Sequence, residues 1–67
     1  MSVAKVIEVT AESDQSFEAA IQEGITRASK NVDGIQSAWV KEQKVRVQNN
    51  KVAGYRVDLK ITFLVHE

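Results

Sequence analysis

The sequence predicts an α+β fold of order β-α-β-β, with a three-stranded antiparallel sheet curled round one helix. Three observations predict it. Ser16–Ser29 places Phe17, Ala20, Ile21, Gly24, Ile25 and Ala28 at i, i+3, i+4, i+7, i+8 and i+11, a continuous helical stripe. Lys51–Val65 alternates apolar and polar residues through most of its length. Asn49-Asn50 sits between two β-like stretches, and Asn tolerates the positive φ of a two-residue hairpin loop.

Val3–Thr10 is rich in β-branched residues and reads as the first strand, with Val3, Ile7 and Val9 sharing a face with Lys5. Ala11–Ser13 is expected to turn the chain into the helix. Ser13 is the expected N-cap, because its hydroxyl can accept from an unpaired N–H of the first turn. Asp14 suits the positive end of the helix dipole, and Arg27 and Lys30 suit the negative end. Ser16 stands where the Glu or Gln of a capping box would be. Asn31–Gly34 stops the helix, Ile35–Gln48 reads as the second strand and Lys51–Val65 as the third.

The loop fixes an expected register. Gln48 faces Lys51, and counting outward Val47 meets Val52, Lys41 meets Asp58, Val40 meets Leu59, Trp39 meets Lys60 and Ala38 meets Ile61. Ala38, Val40, Val57, Leu59, Ile61 and Phe63 then share a face turned to the helix, with Tyr55 on the same side. Ser37, Trp39, Lys41, Gln43 and Val45 face away, with Arg56, Asp58, Lys60 and Thr62. Lys41–Asp58 is the expected cross-strand charge pair. A bulge anywhere in so long a hairpin would shift this count. The edge at which the first strand joins is left open.

The 67 residues make one domain, 1–67. A chain this short buries only about 60% of the surface its unfolded form exposes, so it is marginal alone. It has no cysteine to staple it, and association is the expected source of further stability. No apolar run is long enough for a membrane span, and no secretory signal is visible, so a cytoplasmic location without membrane partners is expected.

Net charge is zero but uneven. Residues 1–40 carry Lys5, Arg27 and Lys30 against Glu8, Glu12, Asp14, Glu18, Glu23 and Asp33. Residues 41–60 carry Lys41, Lys44, Arg46, Lys51, Arg56 and Lys60 against Glu42 and Asp58. That basic hairpin is either a solvated or subunit-facing strand pair, or a surface for phosphate or carboxylate. Trp39, the only tryptophan, stands on its polar face beside Lys60. An uncovered Trp there packs on another subunit or stacks a planar ligand. Basic residues with Trp39 and Tyr55 point only faintly to nucleic acid, and none is expected as a partner. His66 is the only histidine and reads as a surface residue, with no nucleophile–base pair to make an enzyme.

In the ordered set KVIEV, SFEAAIQEGITRA, AWVKEQ and YRVDLKITF, the chain resembles the dodecins, small flavin-binding proteins of this length and element order. The resemblance implies a homo-oligomer, a hollow dodecamer of cubic symmetry, binding a small-molecule ligand. In flavin-binding members two flavins stack between symmetry-related tryptophans, and a glutamine on the last strand bonds the ring. Counted from the helix without a gap, that tryptophan falls on Ser37 and that glutamine on Arg56. Trp39 lies two positions later, where flavin-binding members typically have Glu. The expected ligand-binding residues are therefore Trp39, Ser37, Arg56 and Lys60, with FMN or riboflavin as cargo in an altered site. The AWVKEQ and YRV strands also resemble a branch that includes calcium-binding dodecins. The residues themselves show no metal-ligand spacing, and only a symmetry axis could gather copies of Glu8, Glu12, Asp14 or Asp58 round a cation.

Overall fold

The computed structural model describes residues 3–65. The elements are β1 (Val3–Ser13), α1 (Phe17–Ala28), β2 (Ile35–Gln48) and β3 (Lys51–Val65). The sheet order is β1-β3-β2, with both pairings antiparallel. The strand of cleanest alternation is thus the central one, and its Val57, Leu59 and Ile61 are fully buried. His66 lies outside the described residues.

The helix sits on β1 and β3. Its buried line is Ala20, Gly24 and Ala28, one small residue per turn. Phe17, Ile21 and Ile25 flank that line, half-buried. Small residues let the helix axis approach the sheet, and the larger ones seal the sides. Phe17 meets Tyr55 of β3 edge-on at 5.1 Å between ring centroids, which places Tyr55 on the helix side as expected.

The helix entry differs from expectation. β1 does not turn at Ala11 but runs on to Ser13, which pairs with Tyr55. The N-cap is Ser16, whose hydroxyl accepts from the Ala19 amide at 2.9 Å. Ser13 instead accepts from Gln15 N–H at 3.0 Å, holding the tight bend between strand and helix. The extra sheet pairing keeps Ser13 in the ladder and moves the cap three residues on. At the other end Gly34 takes a φ of 74°, and its carbonyl accepts from Leu64 N–H at 3.1 Å, which anchors the start of β2.

The hairpin loop is as expected, with Asn49 at φ 52° and Asn50 at φ 62°. The register holds at both ends: Gln48 pairs with Lys51 and Val47 with Val52, then Val40 with Leu59, Trp39 with Lys60 and Ala38 with Ile61. Between them two bulges intervene. Arg46 pairs with Gly54, leaving Ala53 extra on β3, and Glu42 pairs with Asp58, leaving Lys41 extra on β2. The two insertions lie on opposite strands and cancel. The expected Lys41–Asp58 pair is therefore absent: Glu42 faces Asp58, and Lys41 reaches Glu8 across the sheet at 3.5 Å. Gln43 and Val45 turn to the helix side, opposite Val57 and Tyr55, and Lys44 and Arg46 take their place on the outer face.

Two expected core residues are less covered than their register suggests. Ala38 is exposed and Phe63 only half-buried, because the helix does not extend over them. A helix of 12 residues is about 18 Å long and a strand of 15 residues about 50 Å, so most of the hairpin is bare. The chain measures 52 × 19 × 13 Å, with a radius of gyration of 13.8 Å against about 11 Å for a compact chain of this length. Val45, Val47 and Val52 are exposed along the uncovered arm. No helix of the described residues is long and apolar enough to cross a membrane.

Candidate functional site

The outer face of the sheet, away from α1, is a grid set by the two registers. Its rows, read β1 to β3 to β2, are Val6–Thr62–Ser37, Glu8–Lys60–Trp39, Thr10–Asp58–Glu42 and Glu12–Arg56–Lys44. Alternation explains why these side chains share a face: each row is two residues from the next, about 7 Å along the strands.

Trp39 is 62% exposed, a large flat apolar surface on the bare side of the sheet. Lys60 stands over its ring, with Nζ 5.4 Å from the centroid, which fixes the indole by a cation–π contact. Ser37 lies one row away on the same strand, and its small side chain leaves the neighbouring space open. Val6, exposed at the end of that row, extends the apolar surface onto β1. Trp39, Lys60 and Ser37 are thus brought together. Arg56 is not: it lies four residues from Lys60 on β3, about 13 Å away.

Arg56 instead belongs to a second group. Glu12 Oε1 lies 3.5 Å from Arg56 Nε in an ion pair, and Glu12 Oε2 accepts from Arg46 Nη2 at 3.4 Å. Lys44 stands opposite Arg56. Lys44 and Arg46 were missed as outward residues because an unbulged count turns them inward. The signal was present: that count placed two cations on the apolar side and two apolar or neutral residues, Val45 and Gln43, on the polar side.

Between the groups, Asp58 accepts from the Thr10 hydroxyl at 2.8 Å and faces Glu42. These carboxylates are like charges across a strand pair. Among the described residues no three His, Cys, Asp or Glu side chains gather as a metal-ion site. One copy of the chain therefore offers a stacking surface, a two-carboxylate row and a cationic group.

The dodecin family matches residues 3–66. The calcium dodecin of Mycobacterium tuberculosis is 40% identical over 63 residues, 94% of this chain and 89% of that protein. A crystal structure of that calcium-chelating protein, with a calcium-binding site, has a TM-score of 0.84 at 37% identity, covering 97% of this chain and 93% of that one. A variant of the Thermus thermophilus dodecin superposes with a TM-score of 0.95 at 31% identity over the full length of both chains. The family match and the superposition both span nearly the whole chain, and the chain belongs to the Dodecin family.

Proposed function

We propose that copies of this chain assemble into a closed shell, a dodecamer by family resemblance, that binds and stores a planar small ligand against Trp39. The 67 residues act as one domain without catalytic chemistry. The carrying observation is the exposed indole held by Lys60 on an otherwise polar sheet face. An aromatic side chain of this size carries about 150–250 Å² of surface, and leaving it wet is costly unless something covers it. A flavin, FMN or riboflavin, fits the chemistry: a flat ring to stack, with Ser37 leaving room beside it. Arg56 stands too far along the strand to take the place of a ring-bonding glutamine within one copy.

The test is a titration of the purified oligomer with riboflavin and with FMN, following flavin and Trp39 emission together. Saturable, stoichiometric mutual quenching is expected. No quenching at micromolar flavin, with the oligomer intact by light scattering, overturns the flavin reading.

A second reading has its own support. Glu42 facing Asp58 is a like-charge row that a cation would relieve, and a 40% identical relative is a calcium dodecin. Calcium takes about six to eight oxygens, so copies of the row would have to meet across a subunit boundary. Calcium titration after chelator treatment, read by calorimetry, distinguishes the two: heat abolished in an Asp58→Asn variant supports the cation, and unchanged heat removes it.

A further inference from the structure

Residues 29–34 carry the chain from α1 to β2, and one peptide bond in that passage is unlike the others. Asp33 is exposed, and Gly34 after it takes a φ of 74°. The Gly34 carbonyl is engaged, accepting from Leu64 N–H at 3.1 Å, but among the described residues the Gly34 N–H donates to no acceptor. Asp33 also lines a shallow open cavity of about 350 Å³ with Leu64, so water reaches it. A carboxyl carried on a single methylene, a free amide nitrogen next in sequence and no Cβ to crowd that nitrogen are what closure of a five-membered ring requires.

Every other Asp and Asn among the described residues lacks at least one of these. Gln15 N–H, after Asp14, donates to Ser13 Oγ at 3.0 Å. Val32 N–H, after Asn31, donates to Ala28 O at 3.1 Å. Leu59, after Asp58, is fully buried in the central strand. Asn49 and Asn50 are each followed by a residue with a side chain, and both are held at positive φ by the hairpin loop.

We propose that Asp33–Gly34 is a site of backbone rearrangement, at which the chain converts to an isoaspartyl form and the entry of β2 is released from β3. The Gly34 nitrogen attacks Cγ of Asp33. The N–Cγ bond forms, the bond from Cγ to the carboxyl hydroxyl breaks, and that hydroxyl leaves with the amide proton as water. Water then opens the resulting succinimide. Cleavage of the N–Cγ bond restores aspartate. Cleavage of the bond between that nitrogen and the main-chain carbonyl carbon of Asp33 leaves the chain running through Cβ and Cγ, with the former carbonyl now a carboxylate. No oxidant or reductant is consumed, and net charge is unchanged. The main chain is one methylene longer. β2 begins at the next residue, and its first pairing is already irregular, with a register shift between Ile35 and Ser37. The added length therefore displaces the Gly34 carbonyl from Leu64 N–H.

The experiment is ageing of the assembled protein at physiological temperature and mildly acidic pH. Electron-transfer fragmentation of its peptides locates isoaspartate, and an isoaspartate-specific carboxyl methyltransferase counts it. Product is expected at Asp33 and only background at Asp14, Asn31, Asn49, Asn50 and Asp58. In the aged fraction the Leu64 amide should exchange with deuterium about tenfold faster, the factor set by one lost hydrogen bond. Asp33→Glu, which would need a six-membered ring, should abolish the product. Asp33→Asn, which loses ammonia in place of water, should form it severalfold faster. Both substitutions are at an exposed position and should leave oligomer size unchanged by light scattering. No isoaspartate at Asp33, equal amounts at Asp14 or Asn50, or a methyl-accepting product that persists in Asp33→Glu overturns the site. Isoaspartate at Asp33 with unchanged Leu64 exchange overturns the release of β2.

Discussion

Gly24 of α1 lies directly on Leu59 of β3: a Cβ at Gly24 would stand 2.9 Å from Leu59 Cδ1 and 3.3 Å from the Ala11 Cβ. Leu59 is fully buried, so giving way means shifting a packed core side chain. Gly24→Ala gains about 1 kcal/mol of helix propensity and loses about 1–3 kcal/mol to overpacking. The expected net result is a loss of about 1 kcal/mol in denaturant unfolding at fixed protein concentration. Leu59→Val removes the clashing atom, so Gly24→Ala should cost less in that background. Strictly additive effects of the two substitutions would show that Gly24 and Leu59 are not coupled.

Gly54 behaves oppositely. What a Cβ meets there is the flexible end of Arg46 and of Glu12, at 3.1 and 3.3 Å. Both can swing aside, and the ion pairs they form are half-exposed and individually contribute about 0–1 kcal/mol. Replacing a strand glycine also recovers about 0.5–1 kcal/mol of backbone entropy. Gly54→Ala is therefore expected to leave stability unchanged or slightly raised, and a melting temperature lowered by several degrees would contradict that balance.

The cap can be checked by a pair of alanines. Ser16→Ala removes the acceptor of the Ala19 amide and should cost about 1 kcal/mol. Ser13→Ala removes only a local bond at the bend and should cost less than half of that, since its backbone stays in the β1–β3 ladder. Equal losses for the two would return the cap to Ser13.

These two serines show where the sequence is legible. A helix stripe and a run of alternation are local patterns, so the helix, β2, β3 and the Asn49-Asn50 turn are readable within a residue or so. The cap depends on how far β1 pairs with β3, which is a tertiary fact. The hairpin teaches the same lesson more sharply. Because the bulges at Ala53 and Lys41 cancel, an unbulged count is right at Val47–Val52 and again at Trp39–Lys60, wrong between them, and wrong once more at the start of β2, where Ile35 pairs with Phe63. That stretch is where Lys44 and Arg46 turn outward. Trp39 was legible because it lies beyond the second bulge, whereas the cationic group round Glu12 lies between the two. Two Val residues alternating with two cations, at 44–47, carried the correction in their own pattern.

Lys60 is the residue through which the stacking site can be tested apart from Trp39 itself. Its ammonium lies 5.4 Å from the ring centroid of an indole that is otherwise largely exposed. At an exposed site such a contact contributes about 0.5–1 kcal/mol. Lys60→Ala should therefore shift Trp39 emission and weaken riboflavin quenching about two- to fivefold without changing oligomer size by light scattering. Lys60→Arg keeps a cation that can lie flat on the indole, and should restore most of the affinity. The pair separates orientation from bulk: if Lys60→Met, which keeps the apolar stem, binds riboflavin as well as the wild-type protein, the charge is irrelevant and Lys60 only fills space. Loss in Ala and Met with recovery in Arg assigns to Lys60 the work of holding the platform, and places the ligand on the face of Trp39 that Lys60 leaves free.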